Sequence, residues 1–229
     1  MRPVGILGGM GPQATILLMQ KVLDAVPARD DADHVPLIVH QNPQVPSRIA
    51  ALIDGRGGDP GPVLAEMARA LQGAGARALA MPCNTAHHYA PAIRAASPLP
   101  FLDMPDLTGA ALAARGAVRV GMLASPAVRL TGVFDAAFRR SGLCAVYPAD
   151  DAPVLALIRA VKAGRDVAAS ETAGPARALM ERGCDHVLIA CTELSLLATA
   201  LPADIPRCDS LDCLSAAIVG FATGRAPAG

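Results

Sequence analysis

Met81–His88 reads MPCNTAHH. The apolar run before it, Ala76–Met81, has the length and composition of a buried strand. Pro82 ends that run ahead of Cys83, Asn84 and Thr85, and the Ala/His-rich residues beyond them open a helix. A cysteine between a strand end and a helix N-terminus sits where free N–H groups and the helix dipole favour negative charge. This predicts a thiol drawn below its free pKa of about 8.5. The chain then repeats the arrangement. In CDHVLIACTELS, Cys184–Ser195, an apolar run again leads into Cys191, Thr192, Glu193 and a helix. Two such units in one chain predict two thiols brought face to face.

Reading outward from these units, strands alternate with helices from end to end. Val4–Gly8 is a short apolar strand, the glycine loop GGMGPQAT (Gly8–Thr15) follows, and Ala14–Val26 is an amphipathic helix. Val35–His40 is a strand leading into QNPQVPSR, where Pro43 and Pro46 keep the backbone extended and Arg48 stands at a helix start. Asp54–Pro62 is a loop, Val63–Gly73 a helix, and Phe101–Leu102 a strand running into Asp103 and a helix over Asp106–Ala114. From Val118 the pattern restarts. VRVGMLASPAV resembles the opening VGILGGMGP, and a helix over Val128–Arg140, a strand at Cys144–Tyr147 and a helix over Val154–Val161 follow. Asp166–Arg182 reads as helix interrupted at Gly174-Pro175. Ile205–Asp209 then echoes Pro100–Asp103, and Leu211–Ala222 is a last helix. Gly5 maps to Gly121, Cys83 to Cys191 and Asp103 to Asp209, at separations of 116, 108 and 106 residues.

Alternation of this kind implies parallel sheets. The expected fold is therefore α/β, with two pseudo-symmetric small domains. Each is a mostly parallel sheet flanked by helices, and the active site lies in the cleft between them. Residues 1–104 with 210–229 form the first domain, because the final helix returns to it, and residues 105–209 form the second.

Composition removes several classes of function. The 229 residues are 52% apolar and 17% charged, with a formal net charge of zero and no Trp. That is a chain with a core, not a disordered one, and it has neither the basic surface nor the aromatic platforms of a nucleic-acid binder. Glycines and Pro12 break the opening apolar stretch too early for a signal peptide. No apolar run reaches the roughly 18 residues of a membrane span. The expectation is a cytoplasmic protein whose six cysteines are reduced. Their spacings match no structural zinc site.

Two opposed thiols suit a specific task. A racemase removes a proton from one face of a carbon and returns one to the other, so a thiolate on one side and a thiol on the other serve both enantiomers. Asn84, Thr85 and Thr192 are neutral donors able to hold a carboxylate while charge builds on it. The glycine loop lets backbone approach a ligand ahead of a helix N-terminus. With no GK[ST] ending, a small carboxylate suits it better than a phosphate. Arg48 follows a strand's C-terminal end, the edge at which open α/β sheets bind ligands.

GILGGMGPQAT, PCNTAH and LIACTELS resemble the aspartate/glutamate racemase family, most closely its aspartate racemase branch, and the resemblance spans the whole chain. It implies an isomerase of amino-acid metabolism that needs no pyridoxal phosphate, metal or other cofactor. It implies a proton relay between Cys83 and Cys191, acting on L- and D-aspartate and extending to glutamate. It also implies that Met10 in the glycine loop, Asn84, Thr85 and Thr192 contact the substrate. Arg48, from the PxPxR segment, and Lys162, from the VKxG segment, match residues associated with the distal carboxylate. Ser47 stands where the family often has Asp, and Ala190 where Gly is common.

Glu193 either accepts the substrate ammonium or caps its helix. His87 and His88 read as packing or surface residues, Asp103 and Asp209 as helix caps, and Cys144, Cys184, Cys208 and Cys213 as small buried hydrophobes. The expected partner is a small acidic amino acid, with a homodimer left open and neither nucleic acid nor membrane involved. Rival readings are a hydantoin racemase, maleate isomerase or arylmalonate decarboxylase of the same superfold. Beyond those stand a non-catalytic binder of acidic amino acids and a thiol redox protein that switches through a Cys83–Cys191 disulfide.

Overall fold

The computed structural model describes residues 1–53 and 55–224, so Asp54 of the expected loop and residues 225–229 of the expected first domain lie outside it. The chain forms two four-stranded sheets, both parallel throughout. The first contains β1 (Val4–Gly8), β2 (Leu37–Gln41), β3 (Ala78–Ala80) and β4 (Phe101–Leu102) in the order β2-β1-β3-β4. The second contains β5 (Arg119–Ala124), β6 (Cys144–Val146), β7 (His186–Ala190) and β8 (Arg207–Asp209) in the order β6-β5-β7-β8. The identical strand orders show the internal repeat directly. Flanking the sheets are α1 (Pro12–Asp24), α2 (Arg48–Leu52), α3 (Pro60–Gly73), α4 (Ala90–Ala96), α5 (Met104–Ala114), α6 (Pro126–Thr131), α7 (Asp135–Ser141), α8 (Ala152–Lys162), α9 (Ala169–Glu181) and α10 (Ser210–Thr223).

Strand residues alternate between faces, and each face has its own cluster. Val4, Ile6, Ala78 and Ala80 pack with Leu18 and Val22 of α1 and Leu211, Leu214 and Ile218 of α10. On the other face, Leu7, Leu79 and Met81 pack with Leu64, Met67 and Leu71 of α3, and Cys83 belongs to that cluster. The second sheet repeats the plan, with Val187, Ile189 and Cys191 packed against α8 and α9. Fully buried side chains such as Ile6, Leu7 and Leu18 contribute about 1.5–3 kcal/mol each. Gly5 and Gly121 are equivalent in their packing as well. A Cβ on Gly5 would lie 3.0 Å from Ala76 Cβ, and one on Gly121 would lie 2.8 Å from Leu179 Cβ, so both glycines admit close packing against the central strand.

Three expectations are corrected. The single helix over Val128–Arg140 is two helices, because Gly132 takes a left-handed conformation (φ +60°) and ends α6. Gly174-Pro175 does not interrupt its helix: α9 runs through Pro175, held by the buried Thr172, Ala176 and Leu179. Neither Cys83 nor Cys191 sits at an α-helix N-terminus. Each is followed by a 3-10 turn, Thr85–Tyr89 and Leu194–Ala200. On the first side Pro91 lies in the opening turn of α4, a position that suits a helix start and resists continuation from upstream. No helix among the described residues is long and apolar enough to cross a membrane.

Candidate active site

The glycine loop, the segment leading to Arg48 and both cysteine turns leave a sheet at its C-terminal edge, where open α/β sheets place ligands, and Lys162 closes α8. The glycine loop is held tightly. Gly9 has φ +95°, and a Cβ there would fall 2.4 Å from the Asn42 carbonyl carbon. Its N–H donates to Thr15 Oγ1 at 2.9 Å. Gly11 comes close to the opposite half of the molecule: a Cβ would lie 3.5 Å from Glu193 Oε1 and 4.0 Å from Lys162 Nζ.

Cys83 is buried, and its carbonyl accepts a 2.8 Å hydrogen bond from His87 Nδ1. His87 Nε2 in turn accepts from the Met104 N–H at 3.2 Å. These two bonds define a neutral imidazole with its proton on Nδ1. Burial drives the His87 pKa down, which agrees with that form. His87 is thus a clamp between the Cys83 turn and the start of α5, while His88 is exposed.

The two cysteine turns are tied to each other. Thr192 Oγ1 donates to the Pro82 carbonyl at 3.1 Å. Asn84 Nδ2 donates to Ser210 Oγ at 2.9 Å, and Ser210 donates onward to the Ile189 carbonyl at 3.0 Å. Asn84 Oδ1 is buried without a partner. Asn84 and Thr192 therefore spend these bonds on joining the turns, whereas Thr85 Oγ1 meets Ser125 Oγ at 3.2 Å.

One cavity of 130 Å³ is lined by Met10, Arg48, Cys83 and Thr85 from the first half and by Lys162, Cys191 and Glu193 from the second. It is smaller than the roughly 300–1,000 Å³ of sites for drug-sized ligands, so it suits a small substrate. Both cysteines are free thiols. Cys191 Sγ donates to Glu193 Oε2 at 3.1 Å, and Glu193 Oε1 forms an ion pair with Lys162 Nζ. Burial first, and then the Glu193 carboxylate, push the Cys191 thiol well above its ordinary pKa. This corrects the expectation of a lowered value: only a 3-10 turn follows Cys191, the Glu193 backbone N–H that favours its thiolate is outweighed, and the nearest charged side chain is an anion. Arg48 donates to the Val45 and Pro46 carbonyls at 3.4 and 3.1 Å, with Nε buried and unpartnered.

Sequence reasoning missed Ile49, Ser125 and Ile158, which also line the cavity, as does Ser47. The signal for Ser125 was present, because ASP in VRVGMLASPAV occupies the place of the first glycine loop. Asp103 and Asp209 cap α5 and α10, accepting from the Asp106 and Leu211 N–H groups. Cys144 is exposed at the start of edge strand β6, unlike the buried Cys184 and Cys208. No group of three or more His, Cys, Asp or Glu among the described residues is placed to hold a metal ion.

Comparison with known proteins agrees with this architecture. A family model described as Asp/Glu/Hydantoin racemase matches residues 7–219. The broad specificity amino-acid racemase RacX of Bacillus subtilis (strain 168) is 25% identical, covering 94% of this chain and 96% of that protein. The structure of Picrophilus torridus aspartate racemase superposes with a TM-score of 0.83 at 28% identity, covering 97% of this chain and 95% of that one. A glutamate racemase from Francisella tularensis subsp. tularensis SCHU S4, solved with D-glutamate, shares the fold at 13% identity, with a TM-score of 0.69 and coverage of 97% and 81%. With a match over nearly its whole length, the chain belongs to the Asp/Glu/hydantoin racemase family, whose amino-acid racemases work without pyridoxal phosphate.

Proposed function

We propose that this racemase interconverts L- and D-aspartate, with Cys83 and Cys191 as the two acid–base groups. The observation that carries the reading is the single small cavity in which both thiols meet Arg48 and Lys162. The substrate's Cα lies between the sulfurs. Cys83 as thiolate takes the α-proton from its face, and the Cys191 thiol delivers one to the other. Turnover leaves the proton on Cys83 and the charge on Cys191, which is the form that accepts the opposite enantiomer. Burial and the Glu193 carboxylate both oppose thiolate at Cys191, and Lys162, paired with Glu193, partly offsets that anion.

Arg48 supplies a guanidinium fork for the distal carboxylate. Lys162 is already paired with Glu193, so it offsets that anion as well as facing the substrate. The α-carboxylate is held by the Thr85 and Ser125 hydroxyls, which line the cavity, while Asn84 and Thr192, which do not line it, brace the two turns.

The test is solvent exchange. L-aspartate, L-glutamate and a panel of neutral L-amino acids are each incubated with the enzyme in D2O without added cofactor, and Cα–H loss is followed by proton NMR. Aspartate should exchange fastest. Equal exchange across the panel would replace the aspartate assignment with broad specificity, and no exchange with any amino acid would end the two-thiol reading.

A further inference from the structure

Behind the active site a second pair of thiols meets. Cys208 in β8 and Cys213 in the first turns of α10 place their sulfurs 3.5 Å apart. Both are free; Cys208 is buried and Cys213 is partly exposed. Nothing in the racemase chemistry uses them. We propose that Cys208 and Cys213 form a peroxide-oxidisable dithiol whose disulfide displaces the start of α10 and lowers racemase activity.

The two thiols are unequal in the way such chemistry needs. Either thiol can donate in the contact between them; with Cys213 as the acceptor its pKa is drawn down, and a hydrogen bond from Thr108 and the Arg115 guanidinium add to this. Cys208 is held upward by the same contact and by burial. An accessible, more readily ionised thiol beside a resolving thiol is the arrangement of redox-sensor cysteines. Cys213 thiolate attacks hydrogen peroxide, forming sulfenic acid and releasing hydroxide. The Cys208 sulfur then displaces the sulfenic oxygen, which leaves as water with the Cys208 proton. Together, two thiols and one peroxide give one disulfide and two waters.

The pair stands at the junction that joins both cysteine turns. Asp209, next to Cys208, accepts from the Ser195 hydroxyl and the Leu211 N–H, each at 2.8 Å. Ser210 links Asn84 to the Ile189 carbonyl. Closing 3.5 Å to the about 2.05 Å of a disulfide brings the sulfurs together by about 1.5 Å. Misplacing a catalytic group by about 1 Å can cost 10²-fold, so a loss of tenfold or more is expected.

The test uses the intact protein and a limited dose of hydrogen peroxide. No Lys or Arg separates Cys208 from Arg225, so both thiols fall in one tryptic peptide. That peptide should lose the mass of two hydrogens and regain it with dithiothreitol, whether or not aspartate is the substrate. Activity of the wild type should fall and return in step. The Cys213→Ala variant should keep its activity over the same exposure, which separates this pair from oxidation of Cys83 or Cys191. An unchanged peptide mass, a peptide that only gains oxygen, or equal inactivation of Cys213→Ala would overturn the proposal.

Discussion

Asp209 should make the protein less stable as pH rises through the weakly acidic range. Its Oδ1 accepts two hydrogen bonds, while Oδ2 is buried with no partner. Burial, and after it the neighbouring Asp212, raise its pKa to about 6 despite the capping N–H of Leu211. In the unfolded chain the value is about 3.9. The folded state therefore prefers the protonated acid. The stability this group contributes is fully present below about pH 3.9 and is lost as pH rises through about 6. A difference of about two pKa units corresponds to about 3 kcal/mol. Urea unfolding of wild type and Asp209→Asn across that range isolates the effect. An amide placed where Oδ2 has no partner adds an offset of its own, but the offset does not titrate. Between about pH 4 and about pH 8 the variant should gain on wild type by about 2–3 kcal/mol, most of it by pH 6. A flat difference would refute the argument. A difference of opposite slope would mean that the helix N-terminus outweighs burial and Asp209 folds as a stabilised anion.

Cys83→Ser and Cys191→Ser should each lose racemisation by at least about 10²-fold, since a serine hydroxyl is a poor substitute for a thiol in acid–base work at neutral pH. With a substrate carrying a leaving group at Cβ, elimination needs only the abstracting thiolate, so the two variants should consume opposite enantiomers; consumption of the same enantiomer by both would contradict a two-faced relay. Arg48→Lys keeps charge but loses the fork, and should raise KM for aspartate by about tenfold or more, the worth of about 1.5–3 kcal/mol for hydrogen bonds to a charged group. A wild-type KM for Arg48→Lys and Arg48→Ala would remove Arg48 from the substrate.

The fold was legible in the sequence because its signals are local and occur twice. Buried parallel strands read as short apolar runs, and the chain repeats them in matching order, Gly5 with Gly121 and Cys83 with Cys191. Helix ends were harder to read. Gly132 divides an apparent helix because its backbone turns left-handed, while Pro175 fails to divide α9 because packing of Ala176 and Leu179 outweighs one lost hydrogen bond. Glycine and proline mark places where a helix is weak, and tertiary contacts decide whether it breaks there.

The site divides along the same line. Residue types at strand ends pointed to Cys83, Cys191 and Arg48, because the C-terminal edge of a parallel sheet is set by topology alone. The protonation of the thiols is set by where side chains reach across the molecule. A CTE tripeptide offers its cysteine both free N–H groups, which would favour thiolate, and a carboxylate, which opposes it. The structure shows the second prevailing at Cys191: Glu193 turns back onto the sulfur and is held there by Lys162 from α8, thirty-one positions away in the chain. Cys83 has Asn84 and Thr85 after it and no carboxylate in the corresponding place. A near-symmetric fold thus carries an asymmetric pair of thiols.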